Sequence, residues 1–505
     1  MHPALLLDEI LRSIIIHLGS RTDKLNFGRT CHPILEPALD SIWRVIHLDS
    51  LRPLIPLFPK EALNDPSDGC RLTLTRVLEP YEWARFDYLS RRTREVTSCD
   101  LRHLSDSTYH LLYRSLELRG ERCLIPSAID TIHRLKVKLQ STAQMAILSS
   151  LINPCLKVLE LEVYRSAEVD WDFDKISRFL NGCGLVCLQS LTLGFGSPHP
   201  PRPCTMDPAT LINFLNQNPS LKYVALELPI LATTVMEGLG RLSRLDTLIM
   251  QRWKDPDNTG TEAMDTPESY GCLFPSLRHI SSDRISTFRH LLSYTSAHHI
   301  TSLQISVSSY TAAQELFGKI QQCTSLKSLS ITPQIFPMPS TTPTVTRYPW
   351  PLDTALSFDP ILACKAMESF QLYALDIIPP SDTDLMSISE AWANLSTFTW
   401  SLSSFYPRAT MIGLSALSAN CRKLRKLCVP LQVGPELLDL TIYERFCDGI
   451  KVDVWEWRVD NRQALVGGLT ALAPLQWSKD KTPWLFTRGE WAAAWDVVAD
   501  MFGSC

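Results

Sequence analysis

The sequence lacks the motifs by which the common enzyme classes are usually recognised. It contains no G-x-S-x-G, G-x-x-x-x-G-K-[ST], H-E-x-x-H or G-x-G-x-x-G pattern, so the usual nucleophile, phosphate-binding and zinc-binding arrangements are absent. Cys183 and Cys187 could meet on one face of a helix, but a zinc site normally needs four ligands. His298 and His299 have no cysteine or carboxylate at ligand spacing. We therefore expect no enzymatic activity, no cofactor and no metal ion.

Long hydrophobic runs, a large net charge and paired cysteines are also missing. No apolar stretch reaches the roughly 18 residues of a membrane span, and Asp8 and Glu9 stand where a secretory signal would be basic. The formal net charge is −4 over 505 residues, so no global field attracts nucleic acid or an anionic membrane. The 15 cysteines include no C-x-x-C pair, which indicates reduced thiols in the cytoplasm or nucleus.

The sequence does contain a phrase of the form L-x-x-L-x-L, which returns about ten times between residues 156 and 429. Its second and third apolar residues alternate with a polar one, which is the periodicity of a strand. Segments with helical spacing lie between the copies, and Asp-Pro pairs at 207–208 and 359–360 are typical helix starts. The clearest copies begin at Leu156, Leu188, Leu221, Ile300 and Leu326, and looser ones at Leu245, Leu277, Met367, Leu395 and Leu424.

The spacing of the copies predicts the fold. Most lie about 23 to 33 residues apart, near the ~20 to 29 of leucine-rich repeats, whose units stack into a solenoid with a parallel sheet inside and helices outside. We predict an α/β fold: a three-helix head, a solenoid over 96–449 and a closing cap over 450–505. Polar or proline-rich loops are expected at 251–271 and 333–360. An ordinary α/β sheet protein is the alternative, because its strands and helices also alternate.

A different pattern precedes the repeats. Three helices are expected here, of which the second spans 22–31 and the third spans 34–43. Three helices in about forty residues enclose little core, so a neighbour should cover part of their apolar surface. Asp8 and Glu9 lie at the start of the first helix, where its dipole favours negative charge. The apolar residues of this first helix share one face: Leu7, Ile10, Leu11, Ile14 and Leu18.

The stretches LLLDEILRSIIIHL and RTCHPILEPALDSIWR resemble the F-box of fungal F-box proteins, especially the basidiomycete group with irregular leucine-rich repeats. The likeness covers 5–46 at motif level and the rest at architecture level. It implies a substrate receptor of an SCF ubiquitin ligase, whose F-box (1–46) binds a Skp-family adaptor, and through it a cullin, while the repeats bind a protein target. Family members usually have proline where this chain has Leu7. The resemblance assigns these residues to the F-box or its adaptor contact: Leu6, Leu7, Glu9, Ile10, Leu11, Ile14, Leu25, Cys31 and Trp43.

A plain helical cap on the first repeat is the alternative for the head, because every repeat array needs its ends covered. The chain would then be a protein-interaction scaffold without a connection to ubiquitin. Residues 47–95, with several prolines followed by Trp83 and Phe86, are expected to form a packed connector. At the other end, alternation from Ile450 and a capping box from Thr487 to Glu490 predict a strand and a helix that close the array.

Strand periodicity also predicts a target-binding face, because side chains alternate between the two sides of a sheet. Glu160, Glu162 and Glu227 should favour a basic segment, and Gln304 should form hydrogen bonds. Tyr223 and Tyr373 are the candidate anchors, since aromatic residues dominate binding hot spots. For any single position a merely solvated side chain is the alternative. The predicted outward set is Val158, Glu160, Glu162, Ser190, Thr192, Tyr223, Ala225, Glu227, Thr247, Ile249, His279, Ser281, Ser302, Gln304, Ser328, Ser330, Ser369, Gln371, Tyr373, Thr397, Thr399, Lys426 and Cys428.

Overall fold

The computed structural model of the chain comprises two compact units, Met1–Asp265 and Thr266–Cys505. Most of the two expected loops and nearly all of the expected C-terminal cap, including its helix, lie outside the described residues. The structure describes residues 8–47, 57–64, 73–93, 95–100, 106–120, 133–139, 142–164, 173–195, 208–228, 233–252, 273–283, 285–307, 310–333, 357–373, 378–401, 408–429, 431–433, 451–453 and 457–459.

Three helices open the first unit: α1 (Asp8–His17), α2 (Arg21–Gly28) and α3 (His32–Trp43). Ser20 caps α2 by accepting a hydrogen bond from the backbone N–H of Asp23, and a proline stands in the first turn of α3. Helices α2 and α3 approach closely at Gly28, where an added Cβ would lie 2.8 Å from the Cβ of Ala38. Both α1 and α2 pack on α3, so α3 is the centre of this head.

A parallel sheet follows the head in the first unit. Its strands run in chain order, β1, β4, β5, β6, β7, β8 and β9, and β2 and β3 form a separate antiparallel pair. The strands are β1 (Val45–His47), β2 (Leu63–Asn64), β3 (Thr73–Leu74), β4 (Glu95–Asp100), β5 (Arg134–Leu139), β6 (Val158–Val163), β7 (Ser190–Phe195), β8 (Tyr223–Leu228) and β9 (Thr247–Arg252). Because β1 pairs with β4, the sheet begins at the predicted boundary between the head (1–46) and the connector (47–95).

Helices separate these strands and pack on one another in sequence, with α5 on α6, α7 on α8 and α8 on α9. The helices bury one set of apolar residues, as α8 does with Leu211, Phe214 and Leu215. The helices of this unit after the head are α4 (Ala84–Ser90), α5 (Asp106–Arg119), α6 (Thr142–Leu151), α7 (Phe173–Gly182), α8 (Pro208–Gln217) and α9 (Thr233–Gly240).

The second unit repeats this arrangement. Strands β10 to β15 and then β17 pair in parallel, and β16 pairs with β18. Its strands are β10 (His279–Ser282), β11 (Ser302–Val307), β12 (Ser328–Pro333), β13 (Ser369–Tyr373), β14 (Thr397–Ser401), β15 (Lys426–Cys428), β16 (Leu431–Val433), β17 (Lys451–Asp453) and β18 (Trp457–Val459). Its helices are α10 (Ile285–Tyr294), α11 (Tyr310–Ile320), α12 (Asp359–Leu362), α13 (Asp382–Ala391) and α14 (Met411–Asn420).

Most phrases of the sequence repeat form the same local structure. The N–H of the first apolar residue donates to the carbonyl three residues earlier, as in Leu326 to Cys323 and Leu424 to Cys421. The next two N–H groups share one carbonyl of the preceding repeat, so Lys327 and Ser328 both donate to Thr301 at 2.8 and 3.0 Å. The apolar residues of the strand are then buried against the helices. Among the described strands of each unit the order follows the chain, which makes each unit an α/β solenoid of leucine-rich repeats.

Candidate binding surfaces

The head divides the nine motif residues between its core and its surface. Leu11 and Trp43 are 2% and 7% exposed, so they belong to the core of the head. The guanidinium of Arg21 lies 5.4 Å from the centre of the Trp43 ring. Leu6 and Leu7 lie outside the described residues. The remaining motif residues are at least partly open to solvent: Glu9, Ile10, Ile14, Leu25 and Cys31.

The open apolar surface of the head lies on α1, away from α3. Ile10 is 37% exposed and Ile16, which is not a motif residue, is 70% exposed. The run Ile14-Ile15-Ile16 explains this, because successive helical residues point about 100° apart and cannot all face one side. Ile15 is buried with Leu11, on the α3 side. We call Ile10, Ile14 and Ile16 the open face of α1.

Ion pairs fix the head to the segment that follows it. The Arg92 side chain is 4% exposed and forms ion pairs with Glu36 and Asp40 of α3, the latter at 3.1 Å. The Tyr88 hydroxyl also donates to Glu36, and its ring lies 4.4 Å below the Arg92 guanidinium. The Tyr88 hydrogen bond is the main cause that lowers the pKa of Glu36, and Arg92 adds to it. This cluster sets the position of α3 relative to α4.

The segment behind the head is packed, as a connector requires. Trp83 and Phe86 are fully buried, and their rings meet edge to face with centroids 5.3 Å apart. Arg119 of α5 lies 5.1 Å from the Trp83 ring and pairs with Asp87 at 2.9 Å. In the same segment, Arg76 clasps the buried Glu82 with both terminal nitrogens. Arg76 therefore lowers the pKa of Glu82 to about 2.

On the sheet of the first unit, the predicted acidic cluster is already paired. Glu160 contacts Arg134 at 2.9 Å and Lys136 at 3.2 Å, and Glu162 lies 3.7 Å from Lys138. Burial alone would raise the pKa of Glu160, but the hydrogen bonds from these two basic residues lower it overall. All three basic residues lie on β5, which precedes the clear copies of the repeat phrase, so the predicted outward set does not include them. The basic residues that Glu160 and Glu162 are expected to attract are thus largely supplied by the neighbouring strand of the sheet.

Further along this sheet, Tyr223 is half-buried beside the same cluster. Burial is the main cause that raises the pKa of its phenol, and Glu160 adds to it, while the Thr192 hydroxyl forms a hydrogen bond. The Glu227 carboxylate lies 3.6 Å from where a Cβ on Gly194 would stand. Gly194 therefore leaves a notch in the sheet face between Glu162, its register partner on β6, and Glu227 of β8, the neighbouring strand on the other side.

The sheet face of the second unit has a different chemistry. Gln304 is exposed, and hydroxyl groups pair across strands, as Ser306 and Thr332 do at 2.9 Å. The Tyr373 hydroxyl donates to the Gln371 side-chain oxygen at 3.0 Å, and burial raises the pKa of Tyr373, to which Cys428 adds. Most residues of the predicted outward set are at least partly exposed, and three are not. Ala225, Thr399 and Cys428 are buried despite their strand parity.

The described residues contain no cluster suited to a metal ion. No group of three or more His, Cys, Asp or Glu residues suited to a metal ion occurs among them. Burial raises the pKa of Cys183 and Cys323 to about 12, so these thiols stay protonated and are poor ligands and nucleophiles. Within the described part of the chain no helix is both long and apolar enough to cross a bilayer. What remains are two surfaces suited to binding, the open face of α1 and the sheet faces.

Comparison with known proteins does not assign the chain to a family. No family model matches it, and no curated protein matches it. Among solved structures, a leucine-rich-repeat protein of Leptospira interrogans aligns with 84% of this chain and 81% of its own, at 13% identity and a TM-score of 0.30. The structure of a TLR13–ssRNA13 complex aligns with 82% of this chain and 56% of its own, at 14% identity and a TM-score of 0.38. At these TM-scores neither structure is similar enough to assign the fold. The repeat architecture follows from the chain's own strand order and repeated hydrogen bonds.

Proposed function

We propose that this protein is the substrate-recognition subunit of an SCF-type ubiquitin ligase, acting in the cytoplasm or nucleus. Its head would bind a Skp-family adaptor and through it a cullin, and its repeats would bind a protein target for ubiquitination. The observation that carries the proposal is the head itself, which is anchored through α3 and leaves Ile10, Ile14 and Ile16 of α1 at least partly uncovered. Uncovered apolar surface of this kind marks a protein-interaction site.

The proposed role is geometric, since the chain would make and break no bond itself. A receptor raises the effective concentration of its target near a ubiquitin-charged enzyme, which works best when the two binding sites are held rigidly. The Arg92 cluster and the buried Trp83 supply such a connection between α3 and the following helices. This packing supports a receptor in which the head position is fixed.

A protein-interaction scaffold without a link to ubiquitin is the second candidate. It is favoured by the position of β1, which follows α3 directly, pairs with β4 and contacts α3. In that arrangement the head would serve as a cap for the first strand of the sheet. The two candidates differ in one requirement, because only the ligase receptor needs the open face of α1 to bind an adaptor.

The deciding experiment is co-purification with a Skp-family adaptor. Deleting 1–46 would also remove most of β1 and damage the sheet, so a double substitution, Ile10→Asp with Ile16→Asp, is the better test. Charges at these exposed positions should lower adaptor retention by about tenfold or more while the fold survives. Ile412→Asp, at an exposed isoleucine of α14, is the matched control and should retain the adaptor. If the intact chain never retains the adaptor, the ligase role is rejected and the scaffold remains.

A further inference from the structure

The sheet face of the second unit is free of permanent charge over several strands. None of the described outward side chains on β10 to β14 is Asp, Glu, Lys or Arg, and nearly all are hydroxyls or amides. Charged residues make up 20% of the whole sequence, and they concentrate on surfaces because they are rarely buried. A solvated face would be expected to carry several of them, so their absence here calls for another explanation.

The first unit shows what a solvated face of this protein looks like. There, strand β5 contributes Arg134, Lys136 and Lys138, which form ion pairs with Glu160 and Glu162 of β6. Those charged side chains neutralise one another, and their exposed parts stay in contact with water. The two units have the same fold, so the difference between their faces lies in side chains alone.

One position on the uncharged face is incomplete. Thr399 of β14 is 3% exposed, and its hydroxyl has no hydrogen-bond partner. Among the described strands of the sheet it is the one buried side-chain donor in this condition. Its neighbours in register are Gln371 on β13 and Cys428 on β15. A buried hydroxyl without a partner destabilises the fold, so it marks a place where a partner from outside would be stabilising.

The side chains beside Thr399 are held ready for hydrogen bonding. The Tyr373 hydroxyl donates to the Gln371 oxygen at 3.0 Å, and the Gln371 nitrogen lies 3.3 Å from the Ser369 hydroxyl. These two hydrogen bonds fix the orientation of the Gln371 amide, and Gln371 is the register partner of Thr399 on the neighbouring strand. Only uncharged donors and acceptors lie around Thr399 on this face, so an ion bound there would lose its water without gaining a counter-charge.

We propose that the face of β10 to β14 binds an extended, uncharged segment of the target polypeptide, and that Gln371, Tyr373 and Thr399 form the anchor for one of its amide groups. The inference rests on the proposed function, because it names the chemistry of the target. A peptide supplies a donor and an acceptor at every residue, and hydroxyls such as Thr399 can do both. Binding gives Thr399 its missing partner and leaves no charge buried.

The test uses the full chain and synthetic peptides of about 15 residues in three classes: neutral and hydroxyl- or amide-rich, lysine-rich, and glutamate-rich. Neutral peptides should bind most tightly, and their Kd should change less than about twofold between about 50 and about 500 mM salt. Thr399→Val and Gln371→Glu should each raise that Kd by about tenfold. Thr247→Val, at a half-buried hydroxyl on the sheet face of the first unit, is the matched control and should leave the Kd unchanged.

Thr399→Val also separates binding from folding. Removing an unsatisfied hydroxyl should leave the thermal unfolding temperature equal or slightly higher, while binding weakens, and a purely structural threonine would not show that combination. The proposal is overturned if charged peptides bind best, if neutral oligosaccharides compete better than neutral peptides, if no peptide binds at millimolar concentration, or if both variants bind normally. Retention of the adaptor by the same variants reports on the ligase role independently, since none of these residues lies in the head.

Discussion

At the scale of single residues, burial decides what a side chain in a motif does. Leu11, Ile15 and Trp43 lie inside the head, whereas Ile10 and Ile16, only one residue away from a buried neighbour in each case, are open. A sequence motif treats such residues alike, because it records identity without direction. The open face of α1 thus includes Ile16, which the motif does not contain, and excludes Leu11 and Trp43, which it does contain.

His290 provides a prediction at this scale. Burial lowers the pKa of its imidazole, whose Nε2 has no hydrogen-bond partner, while its ring meets Tyr294 edge to face at 5.0 Å. The unfolded chain therefore takes up a proton at a higher pH than the folded chain does. The free energy of unfolding should be greatest above about pH 6.5 and should fall as the pH drops from there through the folded-state pKa.

The measurement is urea unfolding at about pH 7.5 and about pH 5.5, the window over which an ordinary histidine titrates. His290→Leu should reduce the difference in unfolding free energy between these two pH values. His299→Leu, at an exposed histidine of the same unit, should leave it as it is. An unchanged pH dependence in His290→Leu would show that another group is responsible.

At the scale of elements, neighbouring helices of the second unit are joined by one carboxylate. Asp382, in the first turn of α13, accepts hydrogen bonds from the backbone N–H groups of Thr410 and Gly413 at 2.7 and 3.0 Å, and from the Thr410 hydroxyl at 2.7 Å. These N–H groups lie at the start of α14, where free donors and the helix dipole favour an anion. Gly413 is needed there, because an added Cβ would lie 2.7 Å from the Asp382 oxygen.

We predict that Asp382→Ala lowers the free energy of unfolding by about 2 kcal/mol, since it removes several hydrogen bonds to a charged acceptor. Hydrogen exchange should report the loss at the first turn of α14. Asp359→Ala, at an exposed carboxylate of α12, is the matched control and should change stability by less than about 0.5 kcal/mol. Equal effects of both substitutions would mean that Asp382 is an ordinary surface residue.

At the scale of the whole molecule, each unit is an array in which a repeat gains most of its stability from its neighbours. The buried strand residues stack in register from repeat to repeat, so Leu303, Leu329, Phe370 and Phe398 form a continuous row. A defect in one repeat should therefore weaken the adjoining ones as well.

Leu329→Ala tests this dependence. Leu329 is completely buried in β12, and its truncation should cost about 2 to 5 kcal/mol through lost burial and a residual cavity. Faster hydrogen exchange should extend to β11 and β13. Ser330→Ala, the next residue of the same strand but facing the open side, should leave exchange in those strands nearly unchanged. A defect confined to β12 would argue against neighbour coupling.

The sequence by itself determined the repeat and its periodicity. Alternation within each phrase predicted which strand residues are buried, because side-chain direction along a strand follows from the backbone alone. The same local rules placed the three head helices within a few residues of their observed ends. Motif absence also pointed away from catalysis, a prediction that stays open.

Only the tertiary structure decided what lies beside each residue. The pairing of Glu160 with Arg134 and Lys136 and the Arg92 contacts with α3 join segments distant in sequence. The Thr399 hydroxyl is buried although strand parity predicts an open position. The repeat phrases set the register between strands, but the extent of side-chain burial and the contacts of Arg92 depend on segments outside those phrases. Periodicity therefore gives the direction of a side chain, whereas its charge environment and its partners depend on how the chain is packed.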